Sequence, residues 1–186
     1  ILNRKVVWGD RIITYEADAR NVESILKSMG LDANSKGLDA PIVVETTREA
    51  AIEEVELGPA EQKKFRSVAA LANYVAMDRP DIQVAVSMLC QKMSKPTQKS
   101  WEKLKRVARY LKKYPVLRFE YREETGEKEL VLRVYADSDW AGCKDTRKSR
   151  SGGFALLGGG LVKSWSNRQA TPALSSGEAE CYAVVK

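Results

Sequence analysis

The 186-residue sequence predicts a mixed α+β protein in which a basic helical segment precedes a mixed β-sheet. Two patterns carry this prediction. Between residues 59 and 113, apolar residues recur at intervals of three and four, which is the spacing of amphipathic helices. After Pro115 the chain changes to short runs of β-branched and aromatic residues separated by glycine turns, which is typical of strands and hairpins.

The first 58 residues predict a hairpin, a helix and a connector. Residues 1–8 and 11–15 have strand character and are separated by a short Gly-Asp turn. Asp18 is placed to cap a helix that ends at Gly30. The stretch 31–59 is rich in turn formers and acidic residues, which predicts a partly disordered connector.

Residues 59–115 predict a packing unit of three helices. Pro59 opens the first helix, and Asp81 is placed to cap the second after the break at Arg79-Pro80. The third starts at Pro96-Thr97. We place domain boundaries after residues 58 and 115, so that the last segment is 116–186.

Charge is unevenly distributed around a net value of +6. Residues 92–118 contain ten Lys and Arg against one acid, giving +9, whereas residues 1–58 contain seven bases against eleven acids, giving −4. The basic block predicts either a contact surface for a phosphate backbone or an ordinary solvated helix face. The candidate nucleic-acid contacts in the third helix are Lys99, Lys103, Arg106 and Lys113.

The segment after Pro115 predicts a sheet and one covering helix. Four strands are predicted, at 116–121, 129–136, 151–157 and 161–165. Thr125-Gly126 and Gly158-Gly159-Gly160 supply turns, and Ser175 is placed to cap a final helix. The order of strand, hairpin and helix predicts a mixed sheet.

Composition leaves carboxylates as the obvious groups for acid chemistry. Histidine is absent, which excludes Ser-His and Cys-His nucleophile pairs and any histidine metal ligand. Cys90, Cys143 and Cys181 lack CxxC spacing, which argues for a reducing compartment and against zinc. The start lacks an initiator Met and a signal-peptide pattern, which predicts an internal fragment.

The strand 130–140, LVLRVYADSDW, ends in Asp137 and Asp139. Its near-continuous apolar run predicts a strand covered on both faces. A carboxylate on such rigid backbone is suited to a hard divalent cation, although a lone strand-end Asp can also cap a turn.

The final helix offers two acids, Glu178 and Glu180, which point about 200° apart because they are two positions apart. Glu180 is predicted to share the inward face with Ala183 and Val184. Glu178 is predicted to face solvent or to stabilise the helix N-terminus. Asp137 and Glu180 therefore outline a two-carboxylate metal site, with Asp139 beside it.

Three stretches, YADSDWAG, RKSRSGGFALLGGGLVKSWSNRQ and ALSSGEAECYA, resemble the ribonuclease H region of copia-type LTR retrotransposon polyproteins. Upstream, YEADARNVESIL resembles the end of reverse transcriptase, and FRSVAALANYVAMDRP with WEKLKRVARYL resembles the helical connection segment. The resemblance covers nearly the whole chain. It implies a helical thumb or connection segment followed by a truncated ribonuclease H-like mixed sheet.

The resemblance implies cleavage of the RNA strand of an RNA–DNA hybrid with two Mg²⁺ ions, or Mn²⁺ in their place. Asp137 and Glu180 match the catalytic, metal-binding acids of the family, and Asp139 would shape the turn or bind metal through water. The family's third Asp lies on a strand after the helix, and the sequence ends at Lys186 before it. We therefore expect this chain to be a poor or inactive nuclease.

Polar residues around these acids are candidate contacts to 2′-hydroxyl groups of RNA, or simple helix caps in the case of the serines. They are Arg147, Lys148, Ser149, Ser151, Ser175 and Ser176. The expected partners are an RNA–DNA hybrid and the rest of the Pol polyprotein, without a membrane. The expected location is intracellular, in cytoplasmic virus-like particles and the nucleus.

Two other interpretations fit parts of the sequence. An apolar strand ending in Asp-x-Asp also begins haloacid-dehalogenase-type phosphatases, but the glycine hairpin argues for antiparallel pairing instead of their parallel sheet. The other alternative is an inactive retroelement remnant that keeps only a nucleic-acid-binding surface.

Overall fold

The computed structural model describes residues 4–43, 55–122, 130–143 and 145–185. Its contacts divide the chain into two compact units: Ile1–Arg4 with Glu16–Leu117, and Lys5–Tyr15 with Arg118–Lys186. The predicted boundary after residue 58 does not separate these units, because the first helix packs with the helical segment. The N-terminal hairpin belongs to the second unit, where it pairs with a strand that follows residue 117.

The first unit is helical. Its helices are α1 (Ala19–Ser28), α2 (Pro59–Val75), α3 (Gln83–Cys90) and α4 (Gln98–Lys113), with a 3₁₀ turn at Pro80–Ile82 before α3. Their apolar stripes meet in one core that includes Ile25, Phe65, Val68, Ala72, Val86, Leu104, Ala108 and Leu111. This confirms the predicted helical periodicity, since residues three and four apart share a buried face.

Capping residues start two of these helices as predicted. Asp18 accepts a hydrogen bond from the Arg20 N–H at 3.0 Å, and Thr97 caps α4 by accepting from the Ser100 N–H. Gly30 follows α1 with φ of 67°, the left-handed conformation that glycine adopts without steric cost.

Asp81 does not cap α3, and that prediction was wrong. Its Oδ2 accepts from Arg79 Nη2 at 2.7 Å and from the Tyr110 hydroxyl at 2.8 Å. Arg79 is only 2% exposed, so its charge requires this partner. Burial, followed by the hydrogen bond to Asp81, raises the pKa of Tyr110.

The second unit contains two small antiparallel sheets and one helix. β1 (Lys5–Gly9), β2 (Ile12–Glu16) and β3 (Arg118–Arg122) form one sheet in that order. β4 (Leu132–Ser138), β5 (Arg150–Leu157) and β6 (Gly160–Arg168) form the other, and α5 (Ser176–Val184) packs against β4 and β5. The predicted Thr125-Gly126 turn lies outside the described residues, and the strands on either side of it belong to different sheets.

The strand β4 is more exposed than predicted. In the part of the chain that the structure describes it pairs with β5 alone, and Leu132 and Val134 are 60% and 58% exposed. The expectation of a strand covered on both faces was therefore wrong. Its apolar run is long enough for a central strand, but β4 lies at the edge of this sheet.

Glycines permit the close approach of β5 and β6. Gly158 and Gly159 adopt φ of 53° and 76° in the turn, which confirms the predicted glycine hairpin. Within β5, a Cβ on Gly153 would lie 2.5 Å from the Tyr135 carbonyl oxygen and 2.7 Å from Trp165 Cε2. The Trp165 ring therefore lies over a position that only glycine can occupy.

The mixed α+β class predicted from sequence is confirmed by these elements, whereas the predicted mixed sheet was wrong, because the described strands form two separate antiparallel sheets. Within the described residues, no helix combines the length and apolar character that a membrane crossing requires.

Gly153→Ala should destabilise the chain by about 1–3 kcal/mol, because overpacking against strand backbone and a ring cannot relax cheaply. Gly177→Ala is the matched control. A Cβ there meets nothing within 4 Å, and alanine favours a helix by about 1 kcal/mol over glycine. Urea unfolding of both variants measures the contrast, and equal stability of the two would contradict the packing described for Trp165.

Candidate functional site

Asp137 lies one residue before the end of β4, opposite Gly152 of β5, and it is exposed. Paired residues of antiparallel strands project from the same face of the sheet, and neighbours along a strand project from opposite faces. Asp137 therefore shares a face with Tyr135, whose ring stacks on Phe154 at a centroid distance of 4.9 Å. Ser138 projects from the other face, with Ser151.

Asp139 shapes the turn that follows β4. Its N–H donates to the Arg150 carbonyl at 3.2 Å, and its Oδ1 accepts from the Arg150 N–H. Gly142 is required beside it, because a Cβ there would lie 2.6 Å from Asp139 Cγ. Of the two predicted roles of Asp139, turn shaping is the one that these contacts support.

Helix α5 begins as predicted. Ser175 Oγ accepts from the Glu178 N–H at 3.1 Å, and Glu178 accepts from the Leu174 N–H at 2.6 Å. The Ser175 hydroxyl satisfies an N–H group that the first turn of the helix leaves free, and the Glu178 carboxylate binds the chain just before the cap. The Leu174 N–H, and then the Tyr182 hydroxyl, lower the pKa of Glu178.

The inward face of α5 differs from the predicted one. Ala179 and Ala183 are buried, whereas Glu180 and Val184 are exposed. The prediction that Glu180 and Val184 share the buried face with Ala183 was wrong, because the helix presents its smallest residues to the sheet. Glu180 flanks that face, about 60° around the helix from Ala183.

The predicted metal ligands do not form a ready cation site. Among the described residues, no three Cys, Asp or Glu side chains converge into a group that could hold a metal ion. One carboxylate oxygen of Asp139 is already used by the backbone of Arg150. The residues present therefore do not fit the Mg²⁺ pair implied by the resemblance, and whether Asp137 and Glu180 share a cation stays a prediction.

Two predicted nucleic-acid contacts are interior residues. Ser149 and Ser151 are both 0% exposed. Ser149 Oγ accepts from the Ala141 N–H at 3.0 Å, and Ser151 Oγ accepts from Gln169 Nε2 at 3.0 Å. Their prediction as contacts was wrong, since both hydroxyls complete hydrogen bonds inside the fold.

The other predicted contacts in this unit remain at the surface. Ser175 and Ser176 are exposed at the start of α5, and Ser175 is confirmed as a cap. Arg147 is exposed and Lys148 half-buried in a tight loop, where the Arg147 N–H donates to the Cys143 carbonyl at 2.8 Å. Hydrogen bonding from Thr146 lowers the pKa of the Cys143 thiol.

The C-terminal half of the basic helix α4 makes intramolecular contacts with residues 31–39. Near its C-terminus, Lys112 donates to the carbonyl oxygens of Asp32, Ala33 and Ser35. Arg109 Nε donates to the Lys36 carbonyl at 2.7 Å. These contacts dock residues 31–39 on α4, so this part of the predicted connector is ordered.

Lys113 belongs to the same docking surface. Its ammonium pairs with Asp39, whose carboxylate also accepts from the Tyr114 hydroxyl at 2.9 Å. Lys113, predicted as a phosphate contact, thus has an internal anion. Lys99 and Lys103 lie in the N-terminal half of the helix, half-buried and exposed respectively, and Arg106 is half-buried with its Nε shielded from solvent.

Sequence comparison identifies relatives. The chain is 36% identical over 121 residues, 65% of its length, to the Pol polyproteins of transposons RE2 and RE1 of Arabidopsis thaliana. It is 32% identical over 126 residues to the Pol polyprotein of transposon TNT 1-94 of Nicotiana tabacum. These similarities confirm the predicted resemblance of the chain to part of a copia-type Pol polyprotein.

The chain corresponds to only 8% of the length of the two Arabidopsis polyproteins. It is also 40% identical over 121 residues to an uncharacterized mitochondrial protein of Arabidopsis thaliana, covering 49% of that protein. Over 118 residues it is 40% identical to secreted RxLR effector protein 161 of Plasmopara viticola, covering 81% of it. No protein-family profile and no solved structure matches the chain.

Sequence reasoning missed two features of the chain. The docking of residues 31–39 on α4 could have been predicted, because the −4 charge of residues 1–58 complements the +9 charge of residues 92–118. The buried side chain of Gln169 had none, since a polar residue after a strand is ordinarily a surface residue.

Acid should release the docked segment. Lys113, followed by Tyr114, lowers the pKa of Asp39, so this contact contributes stability above the ordinary aspartate pKa and loses it as pH falls through the lowered value. The Leu38 N–H donates to the Arg109 carbonyl at 3.2 Å and reports docking. Its hydrogen-exchange protection should fall below about pH 4.

Asp39→Asn should show reduced Leu38 protection already at pH 7, with little further change on acidification. Asp10→Asn, in an exposed turn, is the control and should behave as wild type. Undiminished Leu38 protection in Asp39→Asn would show that the ion pair does not hold the segment.

Proposed function

We propose that this chain is the part of a copia-type Pol polyprotein that joins reverse transcriptase to ribonuclease H and supplies the first strands of the ribonuclease H-like domain. The observation that carries the proposal is the arrangement around Asp137. Strand β4, which carries Asp137 near its carboxyl end, pairs with β5 of the glycine hairpin. Helix α5, which carries Glu180, packs against β4 and β5. The order of strand, hairpin and helix matches the order of the motifs that resemble ribonuclease H.

The activity that we propose for the complete polyprotein is hydrolysis of the RNA strand of an RNA–DNA hybrid. In such sites, bound divalent cations activate water and stabilise the leaving oxygen. Asp137 and Glu180 are the proposed ligands from this chain. Because the described acids do not form a cation site by themselves, we derive no hydrolytic step from this chain alone.

A second candidate is a remnant that binds nucleic acid without cutting it. The hydrogen bond from the Arg150 N–H to Asp139 favours this alternative, since it occupies one carboxylate oxygen that a cation would otherwise use. Both candidates share the same nucleic-acid surface. Its proposed centre is the N-terminal half of α4, because the C-terminal half is occupied by residues 31–39.

The chain alone should not cut a hybrid in Mg²⁺ or Mn²⁺ at a rate that depends on Asp137. Fused to the segment that follows the matched region in the RE2 polyprotein, it should cut the RNA strand. Asp137→Asn should then lower the rate by orders of magnitude, because each metal needs fixed ligands, whereas Asp10→Asn should leave it unchanged.

Gel analysis of labelled hybrid measures both reactions. Failure of the fusion to cut would favour the remnant, and Asp137-dependent cutting by the chain alone would show that a cation site forms without further residues.

Binding to a hybrid duplex should weaken steeply with salt, since cationic contacts release counterions from the phosphates. Lys103→Gln should reduce the slope of log affinity against log salt by about one unit. Lys113→Gln is the matched control in the same helix and should change the slope less, because its ammonium pairs with Asp39. Equal slopes for wild type and Lys103→Gln would remove the N-terminal half of α4 from the surface.

A further inference from the structure

Gln169 connects three parts of the sheet and helix unit. It follows β6, and its N–H donates to the Ser149 carbonyl at 2.8 Å, which continues the pairing of β5 with β6 by one residue. Its side chain is turned inward, and the residue is 6% exposed. The side-chain Nε2 donates to Ser151 Oγ at 3.0 Å and to the Ala179 carbonyl at 2.8 Å.

The orientation of the Gln169 amide is set by chemistry. A main-chain carbonyl oxygen can only accept a hydrogen bond, so the amide atom facing Ala179 has to be the NH₂ group. The serine hydroxyl can accept from the second hydrogen of the same group. One buried NH₂ group is thereby shared between strand β5 and helix α5.

The hydrogen bond from Gln169 to α5 lies beside Glu180. Ala179 is 0% exposed and immediately precedes Glu180, so the Ala179 carbonyl fixes the rotation and the axial position of the helix at that point. The buried face of α5 consists of small alanines, which interlock weakly with a sheet because they project little. The directional hydrogen bond from Gln169 can fix the rotation and axial position of α5, which packing of small alanines alone does not fix.

We propose that Gln169 is a positioning residue that sets the rotation of α5 on the sheet and, through it, the location of the Glu180 carboxylate. The proposal rests on the proposed function for the importance of Glu180, but not for the placement of α5. Gln169 does not itself touch the acids; it acts through the Ala179 carbonyl.

Two near-isosteric variants of the full chain separate this role from packing. Gln169→Met keeps the volume and removes the donor. Gln169→Glu places a carboxylate oxygen against the Ala179 carbonyl at neutral pH, and on protonation regains an O–H that can donate to it. Ser151→Ala is the control, because it removes the other partner of Nε2 and leaves the bond to α5.

Hydrogen exchange of α5 amides, such as Ala183, should accelerate about tenfold in Gln169→Met, the change expected for loss of one buried hydrogen bond. In Gln169→Glu, exchange of the α5 amides should accelerate more than this at pH 7. On acidification the exchange rate should return towards that of wild type measured at the same pH. The amides of β1 and β2 should not change. Ser151→Ala should keep wild-type exchange in α5.

Paramagnetic broadening by Mn²⁺ gives the second readout. In the chain fused to the segment that follows the matched region in the RE2 polyprotein, broadening is expected at both Asp137 and Glu180, and Gln169→Met should reduce it at Glu180 relative to Asp137. Absence of broadening in the fused wild-type chain would count against the proposed function alone, and exchange in α5 would still decide the role of Gln169.

Wild-type exchange of α5 in Gln169→Met would overturn the proposal. Global unfolding of both Gln169 variants, without recovery of Gln169→Glu in acid, would also overturn it, because Gln169 would then support the whole unit and not the placement of one helix.

Discussion

The antiparallel ladder of β4, β5 and β6 is the constraint on which the candidate site depends. Its register places Asp137 opposite Gly152 and Ser138 opposite Ser151, and so assigns the acid and the buried serine to opposite faces. A slip by one residue would exchange these faces, because side chains alternate along a strand. Gly153 maintains the register by admitting the Trp165 ring where any side chain would collide.

Polar groups in this unit are used chiefly to join elements. Ser149, Ser151 and Gln169 form successive hydrogen bonds that connect the turn after β4, the start of β5 and the helix α5. A buried network of this kind is specific, since each member lost leaves an unsatisfied partner in a medium of low polarity. The basic helix α4 also uses polar groups to join elements, because the side chains of its last turn bind residues 31–39.

The helices and hairpin could be predicted from sequence because their determinants are local. Caps such as Asp18, Thr97 and Ser175 act on groups two or three residues away, and glycines at the β5–β6 turn adopt left-handed conformations that favour them. The position of β4 at a sheet edge, the burial of Ser149 and Ser151, and the outward placement of Glu180 depend on distant partners. The local sequence pattern does not identify those partners. In α5, the pattern of small and large residues is too weak to predict which face of the helix is buried.

The pairing of the N-terminal hairpin with β3 has a consequence for synthesis. Residues 5–16 join a sheet whose third strand begins at Arg118, so closing that sheet spans about 100 residues and costs roughly 4 kcal/mol of chain entropy. At a ribosome moving at about 5–20 residues per second, the hairpin waits roughly 5–20 s for its partner. During that interval the intervening helices, whose contacts are more local, have time to fold. A folded helical segment leaves a shorter flexible loop to close, so translation order itself assists a topology that would be slow to form from a fully unfolded chain.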